Sequence, residues 1–294
     1  MPVFDLARRA LRPVARRMGQ PKGAPISDTM TVDGKLVTNL TPLGGYRTPG
    51  LTKVGRLSFK GVCEGKAVKV YTVARPEQAT LRRELQSFSN DVWALPAIIA
   101  SDAGAVVEAW IDGKPVRSLG IKVRHRAQAA VKAFFAESWE RPGMAAIAAN
   151  HLGAFCYLED YLLSRIGPWR HLDTIGRFVC AWRTAYQQLR VPRLISHADL
   201  SADNVLIETG TNRVMFIDNE LLGVGKGWIL DPLNSFLGDD FDVVKEAPLQ
   251  VDRGFVELTW ALRKAGSAFD AGEPGRAVDL MRAALARFEK GGAH

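Results

Sequence analysis

The order of apolar and polar positions divides the chain into a strand-rich first part and a helix-rich second part. Between Thr31 and Val73, short runs rich in β-branched and aromatic residues (KLVTNL, GRLSFKGV, KAVKVYTV) are broken by glycines, the pattern of antiparallel strands joined by turns. The tripeptide CEG at Cys63 predicts the last of these hairpins. Helical spacing over Pro76 to Phe88 predicts one helix, and AIIA and AVVEAWI predict two further strands. Beyond Asp112 the character turns helical. Leu172, Ile175, Val179, Trp182, Tyr186 and Leu189 recur at steps of three and four, the apolar stripe of a buried amphipathic helix. Met144 to Leu158 reads as another buried helix, and Gly275 to Lys290 as a closing one with Leu280, Met281, Ala284, Leu285 and Phe288 on one face. Between them, RLISHADLSADNVLIETGTNRVMFIDNE reads as a short strand, a polar loop, and two strands joined by the turn ETGTN.

Composition narrows the class. The chain has 294 residues, 47% hydrophobic and 24% charged, the balance of a soluble globular protein with room for one large domain or two lobes. Cys63, Cys156 and Cys180 are odd in number and form no C-x-x-C pair, which argues against a disulfide framework or zinc ribbon and for a reducing cytoplasm. No run of eighteen apolar residues suggests a membrane span.

The charge is local. Of the net +8, +5 lies in residues 1–26, where Arg8, Arg9, Arg12, Arg16, Arg17 and Lys22 face a single Asp5. Phe4, Leu11, Val14 and Met18 can share the other side of a helix, a pattern suited to peripheral contact of residues 1–22 with an anionic membrane, although Pro13 kinks it. The arm lacks the continuous apolar region of a secretory signal. GQPKGAPISD follows as a linker, and the folded body is expected from about residue 27. A nucleic-acid reader would spread its basic residues over a groove and not confine them to a tail, so no nucleic-acid partner is expected.

The chemistry concentrates in His197-Ala-Asp199-Leu-Ser-Ala-Asp203-Asn204, followed fourteen residues later by Asp218 at the end of VMFI. Phosphoryl transfer needs a carboxylate to take a hydroxyl proton, and an amide with a carboxylate to hold Mg²⁺ on phosphates. Upstream, Lys69 lies in the predicted strand AVKVY, where it can reach phosphates, and Glu84 in the predicted helix can pair with it. VVEAWIDG, with Glu108 to Asp112, has the form of a strand and hinge offering backbone hydrogen bonds to adenine, and Trp110 borders that pocket. Singly, each has an ordinary reading: Asp199 and Asp203 as turn or cap carboxylates, Lys69 as a surface lysine, Glu84 as a helix-surface acid. Their common order is what points to a site.

In these residues the chain resembles the protein-kinase-like phosphotransferases, particularly the aminoglycoside phosphotransferase, choline kinase and lipopolysaccharide-core kinase branch. The resemblance spans roughly Leu36 to Phe236 and is most specific in ISHADLSADNVLI, VMFIDNE and LDPLNSF. It implies an α+β, bilobal fold: a small antiparallel β-rich N-lobe with one helix over residues 27–111, and a larger, mainly helical C-lobe over 112–294. ATP and Mg²⁺ are the implied cofactors. Carried over, Asp199 is the catalytic base, Asn204 and Asp218 the Mg²⁺ ligands, Lys69 the phosphate lysine with Glu84 its partner, and Glu108, Trp110 and Ile111 the adenine hinge. His197 braces the loop, Asp231 supports it, and Glu220 is an auxiliary contact.

Asp218-Asn219-Glu220 stands where protein kinases have Asp-Phe-Gly, and an Ala-Pro-Glu motif is missing, which disfavours protein substrates. The phosphate-covering loop falls either at Gly44, Gly45 and Gly50 or at Gly55 and Gly61; neither reads G-x-G-x-x-G. The expectation is a cytoplasmic kinase, peripheral on the inner membrane face, phosphorylating the hydroxyl of a lipid or lipid-linked sugar such as a Kdo-type sugar or a ceramide-type alcohol. The rival acceptor is a small soluble one (an aminoglycoside, a choline-like amine or a sugar), for which Asp239, Asp240 and Asp242 offer acidity. The rival outside enzymes is an ATP-binding pseudokinase scaffold.

Overall fold

Antiparallel strands and one helix make up the first part of the computed structural model, which describes residues 28–43, 57–73, 75–237, 242–247 and 250–291. The basic arm, Gly44, Gly45, Gly50, Gly55, Asp239 and Asp240 lie outside the described residues. Strands β1 (Met30–Val32), β2 (Lys35–Pro42), β3 (Ser58–Cys63), β4 (Lys66–Thr72), β5 (Ile98–Ser101) and β6 (Ala105–Ala109) form one sheet in the order β1-β2-β3-β4-β6-β5, with helix α1 (Pro76–Gln86) inserted between β4 and β5. The β3–β4 turn is made by Glu64 and Gly65 at φ 48° and 74°, a left-handed pair matching the twist of a two-residue hairpin. Alternation in β4 buries Val68 and Val70 in the sheet's own small core, together with Val32, Val37 and Val107.

The remainder is mainly helical. β7 (Gly113–Pro115) leaves the first sheet and pairs with β9 (Val205–Glu208), which pairs with β10 (Val214–Phe216). Helices α2 (Ile121–Glu140), α3 (Pro142–Asn150), α4 (Asp173–Gln188), α5 (Arg253–Asp270) and α6 (Pro274–Gly291) enclose the large core. On α4, Ile175, Val179 and Trp182 of the predicted stripe are buried together with Phe178, Leu172 and Tyr186 are partly buried, and the Trp182 indole donates to Thr259 Oγ1 at 2.9 Å. Among the described residues no helix is long and apolar enough to cross a membrane.

Met144 to Leu158 is not the single helix expected. α3 stops at Asn150, and after a turn at His151–Ala154 the chain restarts as a π-helical stretch, Tyr157–Leu162. The break lets Phe155 meet strand β11 (Leu222–Gly225): Val224 N–H donates to Phe155 O at 3.0 Å, and a Cβ on Gly223 would come within 1.8 Å of that oxygen. A continuous helix would have had that carbonyl tied up internally.

Several ties join the parts. Ala94, just before β5, exchanges backbone hydrogen bonds with Val214 and Phe216 of β10 (2.9 Å each). Gln78 of α1 is buried and donates through Nε2 to the carbonyls of Glu220 (2.8 Å) and Leu222 (3.0 Å).

Candidate active site

The His197–Asn204 loop is held from below. Strand β8 (Leu194–His197) pairs with β11, and Asp231 sits beneath it, accepting from His197 N–H at 2.8 Å and from Ser196 Oγ at 2.9 Å. Burial pushes the Asp231 carboxyl up to about 7, against the pull of those two donors. The His197 ring is fully buried against Phe134, with centroids 6.4 Å apart at 88°. Burial lowers its pKa to about 4, so the ring is neutral near pH 7. Its Nε2 lies 3.2 Å from Asn219 Oδ1. His197 thus anchors the loop and faces away from solvent, while half-buried Asp199, two residues on, leaves the strand.

Asn204 closes the loop by donating through Nδ2 to Asp199 O at 3.0 Å. Its own carbonyl accepts from Ile217 N–H at 2.9 Å, which brings Asn204 beside the residue preceding Asp218. Asn204 Oδ1 has no partner among the described residues and is not sealed from solvent. Asp203 instead points outward to Arg117, 2.8 Å away.

Asp218 is one of few non-glycine residues with positive φ (61°, ψ 47°). This left-handed step, tolerated by aspartate better than by bulky residues, turns the chain out of β10 and aims the carboxylate at β4. There Lys69 Nζ pairs with Asp218 Oδ1 and, at 2.9 Å, with Glu220 Oε1. Burial alone would depress the Lys69 pKa, but Glu220, Asp218 and Glu108 outweigh it and hold the ammonium above the usual lysine range. Burial likewise opposes ionisation of Glu220, and Lys69 reverses it.

Glu84 does not partner Lys69. The inward face of α1 carries Gln78, Ala79, Leu81, Arg82 and Leu85; Glu84 falls outside it and lies 3.0 Å from His151 Nε2, its side chain 43% exposed. The lysine's carboxylate partners come from the Asp218–Glu220 turn instead. The helix contributes Arg82, which is 1% exposed. Arg82 Nε and Nη2 bond Glu108 Oε2 at 3.2 and 2.8 Å, and Nη1 bonds Gln86 Oε1 at 3.0 Å. Asn219 Nδ2 completes the cluster, 3.3 Å from Glu108 Oε2. Burial pushes the Glu108 carboxyl up, against Arg82 and Lys69. A continuous polar chain thus runs from Arg82 through Glu108, Asn219 and His197 to Asp231.

The hinge expectation changes in detail. Glu108 commits its side chain to Arg82, and the Trp110 N–H already donates to Ala67 O at 3.2 Å. The Trp110 ring is 37% exposed with Lys60 Nζ 4.2 Å from its centroid, and Ile111 packs on Ala94, Leu206 and Met215. Sequence reasoning missed Arg82 and Gln78, although their i, i+4 spacing on an otherwise apolar face was a usable signal.

Comparison with solved structures decides the fold. LicA in complex with AMP superposes with TM-score 0.55 at 13% identity, covering 94% of this chain and 98% of that one. The chain has the bilobal protein-kinase-like fold. A thermostable mutant of the aminoglycoside phosphotransferase APH(4)-Ia, in apo form, matches at 15% identity and TM-score 0.49 over 88% of this chain and 96% of that one. A macrolide 2'-phosphotransferase type I matches at 15% identity and TM-score 0.46 over 98% of each chain. No family model matches the sequence, and no curated protein does.

Proposed function

We propose that the protein is an ATP- and Mg²⁺-dependent phosphotransferase acting on an alcohol, with residues 27–111 as the nucleotide lobe and 112–294 as the catalytic and acceptor lobe. The observation that carries this reading is the convergence on one cleft of Lys69 from β4, Asp218 and Glu220 from the turn after β10, and the Asp199–Asn204 loop. Three carboxylates (Asp218, Glu220, Glu108) gather around two cations (Lys69, Arg82), so the cleft has room for additional positive charge.

The donor set suits Mg²⁺. Asp218 is 46% exposed and Asn204 Oδ1 is uncommitted, whereas among the described residues no three His, Cys, Asp or Glu side chains form a cage of their own. Mg²⁺ commonly rests on one or two protein groups together with substrate phosphates, and when bound it neutralises the charge on the transferring phosphoryl group. Asp199 accepts the acceptor's proton, Lys69 orients the phosphates, and Glu220 keeps Lys69 charged and in place. The buried chain from Arg82 to Asp231 fixes the loop against the first sheet.

For the acceptor, the lipid or lipid-linked sugar reading rests on the basic, amphipathic pattern of residues 1–22, and the soluble small-molecule reading needs no such arm. A transfer assay with γ-labelled ATP across lipid extracts and soluble metabolites, run with Asp199→Ala and Asp218→Ala, tests the chemistry: label must appear in an acceptor and vanish in both variants. Activity surviving in either variant overturns the assignment. Deleting residues 2–22 should abolish co-sedimentation with anionic liposomes; unchanged binding removes the lipid reading.

A further inference from the structure

In the helical lobe two arginines, Arg165 and Arg263, gather at Ser267 near the segment that follows the Asp199 loop. The π-helical stretch Tyr157–Leu162 stacks the rings of Tyr157 and Tyr161 at 5.3 Å. The Arg165 guanidinium lies 5.0 Å from the Tyr161 ring and against Gly266 of α5, where a Cβ would stand 3.2 Å from its Cζ. Arg165 is neutralised by Asp270 and reaches Ser267 Oγ at 3.4 Å.

Arg263, one turn earlier on α5, is different. Its Nη1 donates to the same Ser267 Oγ at 2.6 Å and its Nε to Asn234 Oδ1 at 2.9 Å, both neutral groups. No carboxylate among the described residues pairs with it, and its Nη2 has no partner there and is not sealed from solvent. Asn234 is 9% exposed, and its Nδ2 has no hydrogen-bond partner. The buried Asn234 Nδ2 donor costs free energy until an acceptor reaches it, and the adjoining Arg263 Nη2 is open to water or a ligand.

The cluster adjoins the catalytic loop. The segment carrying Asn234 is tied to that loop by Phe236 N–H donating to Leu200 O at 3.1 Å. Burial raises the pKa of the Tyr157 hydroxyl; Arg263 and Arg165 pull it down and Asp199 pushes it up, so all three lie within electrostatic reach of that hydroxyl.

We infer that Arg263 and Asn234 form an oxyanion subsite, so that the alcohol phosphorylated at Asp199 carries a carboxylate or phosphate group. This rests on the phosphotransferase reading. The guanidinium fork matches planar or tetrahedral oxyanions with paired hydrogen bonds, and it repels ammonium-bearing acceptors such as choline-like amines or aminoglycosides.

The test uses the full chain saturated with Mg·AMP-PNP, so that the nucleotide's own phosphate positions are filled, and titrates inorganic phosphate calorimetrically, with tetramethylammonium as the cationic counter-probe. Phosphate should bind and tetramethylammonium should not, and Arg263→Gln should weaken phosphate at least ~10-fold, the loss of one charge-assisted hydrogen bond, with AMP-PNP affinity unchanged. Competition by phosphatidylglycerol vesicles assigns a lipid headgroup, and competition by glucose 6-phosphate a soluble phosphorylated alcohol. Phosphate affinity unaffected by Arg263→Gln, or preferential binding of tetramethylammonium, overturns the inference. If Arg263→Gln does not fold, Asn234→Asp replaces it, where the added carboxylate should produce the same loss and an unchanged affinity overturns the proposal. Failure of the wild-type chain to bind AMP-PNP refutes the phosphotransferase reading alone, since the phosphate titration on the nucleotide-free chain still decides the oxyanion site.

Discussion

Lys69 and Arg82 both carry positive charge into the space between the lobes, and each meets a carboxylate, but their surroundings differ. Arg82 and Glu108 are each about 1% exposed, and the arginine has further partners in Gln86 and the Pro96 carbonyl. Lys69 is also buried, yet its partner Asp218 is 46% exposed on a left-handed turn. The sealed pair can only hold structure. The open pair can exchange partners, since the carboxylate can turn to a metal and the ammonium to phosphate without stranding a charge in a dry interior. Similar ion pairs therefore serve different ends according to whether solvent reaches one side.

The two pairs should fail in different ways. Arg82→Met leaves Glu108 uncompensated and should lower unfolding free energy by about 3–5 kcal/mol, with Arg82→Met/Glu108→Leu recovering much of it; urea denaturation of the single and double variants measures this. Lys69→Met leaves Glu220 without its cation and should lower the melting temperature, but by less than Arg82→Met because solvent reaches Asp218, and it should reduce kcat/KM for ATP by roughly 100-fold or more, the scale of losing one charge-stabilising donor. If Lys69→Met instead unfolds the protein while Arg82→Met only slows it, the contrast between the pairs is wrong.

A third expectation concerns pH. Asp231 is held near 7, above its ordinary 3.8, so between about pH 4 and 7 the folded state keeps a proton that the unfolded chain releases. Its contribution to stability therefore declines as pH rises through that window. Relative to Asp231→Asn, the wild type should be less favoured at pH 8 than at pH 5, by up to about 3 kcal/mol in urea unfolding. An opposite sign would mean that the Ser196 and His197 donors outweigh burial.

The smallest effect belongs to Glu84. Because its 43%-exposed carboxylate meets His151 and not Lys69, Glu84→Gln should change stability by less than about 1 kcal/mol and leave kcat within about twofold. A large kinetic loss would restore the pairing expected from sequence.

What could be read from the sequence was local or carried by spacing. The Glu64–Gly65 hairpin, the α4 stripe and the placement of Asn204 beside Asp218 needed only turn chemistry, period and order along the chain. The helix phase of α1 was not readable in the same way. An arginine is ordinarily a surface residue, and only the presence of Glu108 on the facing strand makes Arg82 an inward position and displaces Glu84. Likewise, apolarity over Met144 to Leu158 cannot separate one helix from a helix, a turn and a π-helical restart, because the contact the break makes, Phe155 against Gly223 and Val224, is with residues nearly seventy positions away.

In the proposed function Asp218, with Asn204 and Lys69, receives a Mg²⁺–nucleotide complex. Calorimetric titration of ADP, with and without Mg²⁺, into wild type and Asp218→Asn addresses it directly. Mg²⁺ should tighten ADP binding at least ~10-fold in the wild type, the worth of one charge-assisted contact, and not in the variant. An equal Mg²⁺ response in both proteins would contradict it.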